Sequence, residues 1–322
     1  MGYDSEMGGR TGFTRRSGLK GSGVVALAAL AGRALQSGAG AQDATPGAEA
    51  IPTLAFTAKD YEFLELPASI PGGYTRLSML QEGPADHHAM FMRLNEGVTA
   101  DDFMAALQTG DFGAILGAAV SMGGPNAGGI GSITNVVVDL TPGQYVVVCL
   151  IPDEDSGMPH AAMGMISALE VTTSTTDAQL APPEIQGTID LVDFSFEGLP
   201  AELPAGPHTW AITDSGDQLH EMVIYQQAPG VPYSVIESIF LAPPEATPTV
   251  IEATPEAMAS PEASGPPPFT AIGGVAPMNP GVINYLEIEL AAGDHFAICF
   301  IPDAETGAPH FALGMIMPFT VV

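Results

Sequence analysis

Shifted along itself by 150 positions, the chain overlays residues 121–172 on 271–322 without a gap. The densest stretch is Cys149-Leu-Ile-Pro-Asp-Glu-Asp-Ser-Gly-Met-Pro-His160-Ala-Ala-Met-Gly-Met165-Ile166. It meets Cys299-Phe-Ile-Pro-Asp-Ala-Glu-Thr-Gly-Ala-Pro-His310-Phe-Ala-Leu-Gly-Met315-Ile316, and eleven of the eighteen positions are identical. A second shift, of 133, overlays Phe63–Gly73 on Phe196–Gly206 and places His87 on His220. A repeat of this length requires one supersecondary unit built twice. At 322 residues the chain has room for two cores of ordinary domain size. The predicted units are 51–172 and 183–322, with 173–182 as a polar, Pro-ended linker.

The two shifts differ by 17 residues, which places extra chain in the middle of the second copy. That is where 243–268 runs, rich in Pro, Ala, Thr, Ser and Glu and without apolar periodicity, so it is predicted to be a disordered insert. The first copy carries Ala100–Val120 at the same place. There Phe103, Leu107, Ile115 and Leu116 recur among small residues, with Thr99 or Asp101 as a cap and Gly110 as a stop, so one or two short helices are expected. A further short helix is expected near Tyr233–Leu241. The remainder reads as strands: Tyr74–Leu80, Val136–Leu140 and Tyr285–Leu290 alternate, and Gly turns lead into the more continuously apolar Tyr145–Leu150 and His295–Ile301. The predicted fold class is all-β, one sandwich per copy, with short helices inserted in the first.

The N-terminal residues read differently. Thr14-Arg-Arg-Ser-Gly-Leu-Lys20 resembles the twin-arginine export motif, with Gly18 where a large apolar side chain is usual. A run of about twelve apolar residues follows, too short to span a bilayer. Ala39-Gly40-Ala41 then offers a cleavage site, so 1–41 is predicted to be an export signal and 42–50 a disordered segment. The mature chain would be periplasmic, cell-surface or secreted, without a transmembrane segment.

Charge narrows the partners. Lys plus Arg number 8 against 37 Asp plus Glu, a formal net charge of −29. Five of the basic residues lie before Gln42, so the remainder is more acidic still. Such a surface cannot neutralise phosphates, which excludes nucleic acid, and an anionic membrane would repel it. Any redox partner steered by this field would be basic.

Gly143-Gln-Tyr145-Val-Val-Val-Cys149, followed by His160-Ala-Ala-Met-Gly-Met165, resembles the C-terminal signature of the cupredoxins, the plastocyanin and azurin family. In that family a strand ends in Cys and the next loop delivers a His and then a Met. The His-x4-Met spacing and the Gly before the Met stand in both copies. His87 and His220, near the start of an earlier strand, match the family's first ligand. One departure is loop length, since ten residues separate Cys from His in each copy. The resemblance implies tandem Greek-key β-sandwiches and two copper sites. Their ligands would be His87, Cys149, His160 and Met165, then His220, Cys299, His310 and Met315. A soft thiolate, two imidazoles and a weak thioether suit copper that cycles between oxidation states.

The implied function is electron transfer, with Met158, Ala161, Phe311 and Pro318 forming the docking face. The alternative is a metal-free cupredoxin-fold interaction or structural module, with both cysteines buried as small hydrophobes. The multicopper oxidases and copper nitrite reductases flank the cysteine with histidines, whereas its neighbours here are Val148 and Leu150, or Ile298 and Phe300. An enzyme is therefore not expected. His88, which aligns with Glu221, reads as a surface or second-layer residue. His208 and His295 read as strand residues, Asp153–Asp155 and Asp303–Glu305 as solvated acidic turns, and Met79, Met90 and Met92 as core filling. A Cys149–Cys299 disulfide is not expected, because it needs the two Cα atoms within about 7 Å.

Overall fold

The structure is a computed structural model that describes residues 51–174, 181–241 and 267–322. The predicted signal, the segment 42–50, most of the linker and nearly all of the Pro-rich insert lie outside the described residues.

In the first copy the strands are β1 (Thr53–Lys59), β2 (Glu62–Leu64), β3 (Ser69–Pro71), β4 (Gly73–Gln81), β5 (Met90–Leu94), β6 (Ala119–Ser121), β7 (Ile133–Leu140), β8 (Gly143–Val148) and β9 (Ile166–Thr172). The second copy adds β10 (Gly187–Val192), β11 (Ser195–Glu197), β12 (Glu202–Leu203), β13 (Gly206–Asp214), β14 (His220–Gln227), β15 (Phe269–Met278), β16 (Ile283–Leu290), β17 (Gly293–Ile298) and β18 (Ile316–Val321). Alternation does what the pattern predicts: along β4, Thr75, Leu77, Met79 and Gln81 are buried and the residues between them less so.

Each copy is a β-sandwich. In the first, β3-β9-β8-β5-β6 faces β7-β4-β1-β2; in the second, β12-β18-β17-β14-β15 faces β11-β10-β13-β16. The predicted fold class therefore stands, but the expectation of two separate sandwiches on a linker is corrected. β7 pairs antiparallel with β16, so the two four-stranded layers fuse into one eight-stranded sheet. The described residues accordingly form one compact unit.

The seam has a two-fold character. Val136 lies opposite Leu286, its own equivalent under the 150-residue shift, and Pro125 likewise bridges to Val275. Across the seam Arg76 makes a bidentate pair with Glu287 at 2.7 and 2.8 Å. Two such bonds in a fork hold the guanidinium in a fixed orientation.

The inserted helices are α1 (Ala100–Thr109) and α2 (Phe112–Ala118), and α3 (Tyr233–Phe240) is the helix of the second copy. Thr99 caps α1 in a reciprocal box with Asp102, and Gly110, at φ 68°, ends it. α1 buries Phe103 and Leu107 against the first sandwich. α3 buries Ile236 and Phe240, and Phe240 packs on Phe296 and Phe311 with ring centroids 5.9 and 5.6 Å apart. Met79, Met90 and Met92 fill the core as expected.

Candidate metal centre

β8 and β17 stop at Val148 and Ile298, one residue earlier than the cysteines, so Cys149 and Cys299 stand just beyond the strand ends. The ten-residue excursion after each cysteine is a closed hairpin. In the first copy Pro152 bridges to Pro159, the His160 N–H donates to the Ile151 carbonyl at 2.9 Å, and the Ala161 N–H donates to the Cys149 carbonyl at 2.8 Å. The Asp153 side chain closes the tip by accepting from the Ser156 N–H and hydroxyl. In the second copy Pro302 bridges to Pro309, and Asp303 holds Thr306 in the same way. The hairpin thus removes the extra loop length from the path between ligands and returns each histidine to its cysteine. The acidic turns have local work to do, and Asp153 and Asp303 are both held down to a pKa of about 2, first by Ser156 and by Thr306.

The other histidine of each site comes from the neighbouring strand of the same sheet: His220 opens β14, which pairs with β17, and His87 lies just before β5, which pairs with β8. In the first copy His87 Nδ1 stands 3.1 Å from His160 Nδ1, and Cys149 Sγ lies 3.5 Å from His160 Nδ1 and 4.0 Å from His87 Nδ1. The point equidistant from these three atoms is about 2.1 Å from each, the length of a metal–imidazole bond and about 0.2 Å less than a zinc–thiolate bond. In the second copy Cys299 Sγ lies 3.4 Å from His310 Nδ1, and the donor atoms of His220, Cys299 and His310 lie within 4.8 Å of one another. All six side chains are buried.

Two partners unnoticed in the sequence orient the histidines. His87 Nε2 donates to Asp60 at 2.6 Å, and His220 Nε2 donates to Asp193 at 2.6 Å. A carboxylate on Nε2 fixes the proton there and turns the Nδ1 lone pair toward the cysteine. Gly83 and Gly216 leave room for this pair, since a Cβ on either would run into the carboxylate and approach the imidazole. The signal was present, because the 133 shift places Asp60 on Asp193 and Gly83 on Gly216.

In the second copy His310 Nε2 donates to Gln218 Oε1 at 3.2 Å, which leaves its Nδ1 as a lone pair as well. His220 Nδ1 has no hydrogen-bond partner among the described residues. Two buried lone pairs and a thiol therefore converge with nothing but the thiol proton between them. That donor set suits a soft or borderline metal ion, and an unsatisfied buried acceptor is otherwise costly.

Burial keeps the imidazoles neutral. It pushes His160 and His310 down to about 4, with the neighbouring histidine adding to the effect, and it lowers His87 and His220 against the opposing pull of their aspartates. Burial, and then the Glu221 carboxylate, push the Cys299 thiol well up. A metal would have to displace that proton.

Met165 and Met315 are fully buried. The N–H of each donates to the carbonyl of His160 or His310, and the carbonyl of each accepts from the N–H of Cys149 or Cys299. Backbone bonds thus tie Met165 to Cys149 and His160, and Met315 to Cys299 and His310, while His87 and His220 join the cysteine and hairpin histidine through their side chains. Of the two readings of His88, the second-layer one stands and the surface one does not: it is buried, with Nε2 accepting from the Leu150 N–H at 2.9 Å. The predicted docking face is corrected too, because Ala161 and Phe311 are buried; the exposed apolar side chains nearby are Met158, Met163 and Leu313. His208 and His295 are strand residues bonded to local carbonyls. The two cysteines form no disulfide.

No protein-family model matches the chain, and no curated protein matches it. Solved structures similar to it include auracyanin B, at 17% identity over 44% of this chain and 93% of that one, with a TM-score of 0.27. A multicopper oxidase is 14% identical over 84% of this chain and 88% of that one, with a TM-score of 0.23. Copper nitrite reductase from Nitrosomonas europaea is 11% identical over 85% and 94%, with a TM-score of 0.22.

The exclusion of an enzyme is corrected. It rested on the lack of a His-Cys-His grouping, and His87, Cys149 and His160, like His220, Cys299 and His310, form such groupings in space. The histidines reach each cysteine from an earlier segment and from a hairpin end rather than as its neighbours in sequence, which is why the linear pattern missed them.

Proposed function

We propose that the protein is an exported, tandemly duplicated cupredoxin that holds one copper ion in each half and transfers electrons. The observation that carries this reading is the unpartnered, fully buried Nδ1 of His220, aimed at Cys299 and His310. Copper would supply a one-electron couple between its two common oxidation states. The chain's residues would do the rest. His87, Cys149 and His160, then His220, Cys299 and His310, would hold the ion through two imidazoles and a thiolate each, with Met165 and Met315 offering weaker thioether donors.

Asp60 and Asp193 fix the first histidine of each site, and Gln218 fixes His310. Tyr61 and Phe194 cover the hairpin histidines, with ring centroids 4.8 Å from His160 and from His310, and exclude water. Rigid donors held before the metal arrives limit the rearrangement that each change of charge demands.

Export is proposed from the twin-arginine-like segment, and among the described residues no helix is long and apolar enough to cross a membrane. The boundaries 51–172 and 183–322, with 243–268 as an insert, are proposed as the duplicated units. A basic redox partner is proposed from the net charge of −29, with an association rate that falls as salt rises. Equilibrium dialysis against copper with elemental analysis tests the reading. It predicts one ion for each of the two donor groups; retention of none would refute it.

A further inference from the structure

A cleft of about 410 Å³ lies where the two copies meet, walled by both ligand hairpins. Its lining is mostly apolar, with Met90 and Ile151 from the first copy and Val223, Tyr225, Phe300 and Phe311 from the second. Four polar side chains besides Tyr225 interrupt it: Asp86 and Asn126 from the first copy, and His88 and Glu221, which are repeat equivalents, each one residue after the first histidine of its site.

The chemistry of this equivalent pair has diverged. His88 Nε2 accepts from the Leu150 N–H, which places the ring proton on Nδ1, and that N–H makes no hydrogen bond among the described residues. Glu221 accepts from the Phe300 N–H at 3.1 Å through one oxygen and from Asn126 Nδ2 at 2.8 Å through the other. Each oxygen keeps a second acceptor direction. Both side chains are at least nine-tenths buried, at 4% and 5% exposure. One half therefore brings an unsatisfied donor to the cleft and the other brings acceptors.

The geometry points to a binding site for a neutral, mostly apolar small molecule of one or two rings bearing a hydroxyl. The volume falls in the range of small-ligand pockets, and the walls offer ring faces and thioether. The hydroxyl accepts from His88 and donates to Glu221. An anion is disfavoured by Glu221 and by the charge of the whole chain. This site is separate from the metal donors, since neither His88 nor Glu221 belongs to either group of three. It does touch both centres, because Leu150 and Phe300 directly follow Cys149 and Cys299.

The test uses the full chain without added metal, labelled with methyl-13C methionine, and follows the Met90 methyl resonance, assigned with Met90→Leu. 2-Naphthol should shift that resonance saturably, and naphthalene, which lacks the hydroxyl, should bind about tenfold or more weakly, the cost of leaving buried polar groups unpaired. His88→Phe should reduce the preference for 2-naphthol. Ile151→Trp, a substitution at a half-buried side chain on the cleft wall, should abolish binding while the melting temperature is retained. Equal binding of the two probes, no shift up to the solubility limit, or an undiminished shift in the Ile151→Trp protein would overturn the proposal.

Discussion

Val136 lies directly across the β7–β16 seam from Leu286, the residue that occupies its own place in the second copy. Both are fully buried, so the seam is core rather than a contact between finished domains. The two halves are therefore expected to unfold together. Scanning calorimetry should give one transition, and Leu286→Asp, which buries a charge against Val136, should lower its midpoint by many degrees. Two resolved transitions would show that the seam is weak.

The aspartate behind each first histidine is expected to set metal affinity. Asp60→Asn and Asp193→Asn should each weaken copper binding at their own site by about 10- to 100-fold, as loss of such a partner typically does. Competition titration against a chelator measures this. The other site in each variant should keep its affinity.

Glu221 gives the protein a pH dependence of known sign. Its burial raises it from 4.5 to about 7, so between those values the folded protein holds a proton that the unfolded chain has released. Stability contributed by this group is present below pH 4.5 and is lost as pH rises through 7, by about 3 kcal/mol for a shift of this size. Glu221→Gln should remove its share of the slope and leave that of Asp86 and Asp214, which burial raises to about 6 and about 7; urea unfolding across pH 4.5–7.5 would reveal the difference. An unchanged slope would mean that Glu221 titrates normally.

The cap of α1 is a smaller, local device. Thr99 accepts from the Asp102 N–H while Asp102 accepts from the Thr99 N–H. Thr99→Ala should cost about 1 kcal/mol. Denaturant unfolding checks it, and copper binding should not change.

Much of this was legible in the chain. The gapless overlay of 121–172 on 271–322 fixes the repeat, and the alternation of β4 and β7 fixes their faces. The donors His87, Cys149 and His160 were legible because few residue types bind soft metals and the repeat places them twice. Asp60 and Gly83 were equally visible under the 133 shift. They were passed over because an aspartate next to a tyrosine, or a glycine before a proline, has many ordinary explanations. The fused sheet was not legible, since the pattern of β7 states which face is buried and not which strand lies at its edge. The hairpin after Cys149 hid because its closure depends on backbone bonds between Ile151 and His160, which leave no mark beyond the flanking prolines.

The visible absorption spectrum of the copper-loaded protein tests the metal reading most directly. Thiolate ligation predicts an intense charge-transfer band. Cys149→Ser should remove the first copy's share of it, Cys299→Ser the second's, and the double variant all of it. Met165→Leu should keep the first copy's band but shift its reduction potential, because a weak axial ligand tunes the site rather than holding it. A copper-loaded protein with no such band, or a band that survives in the double cysteine variant, would contradict the account.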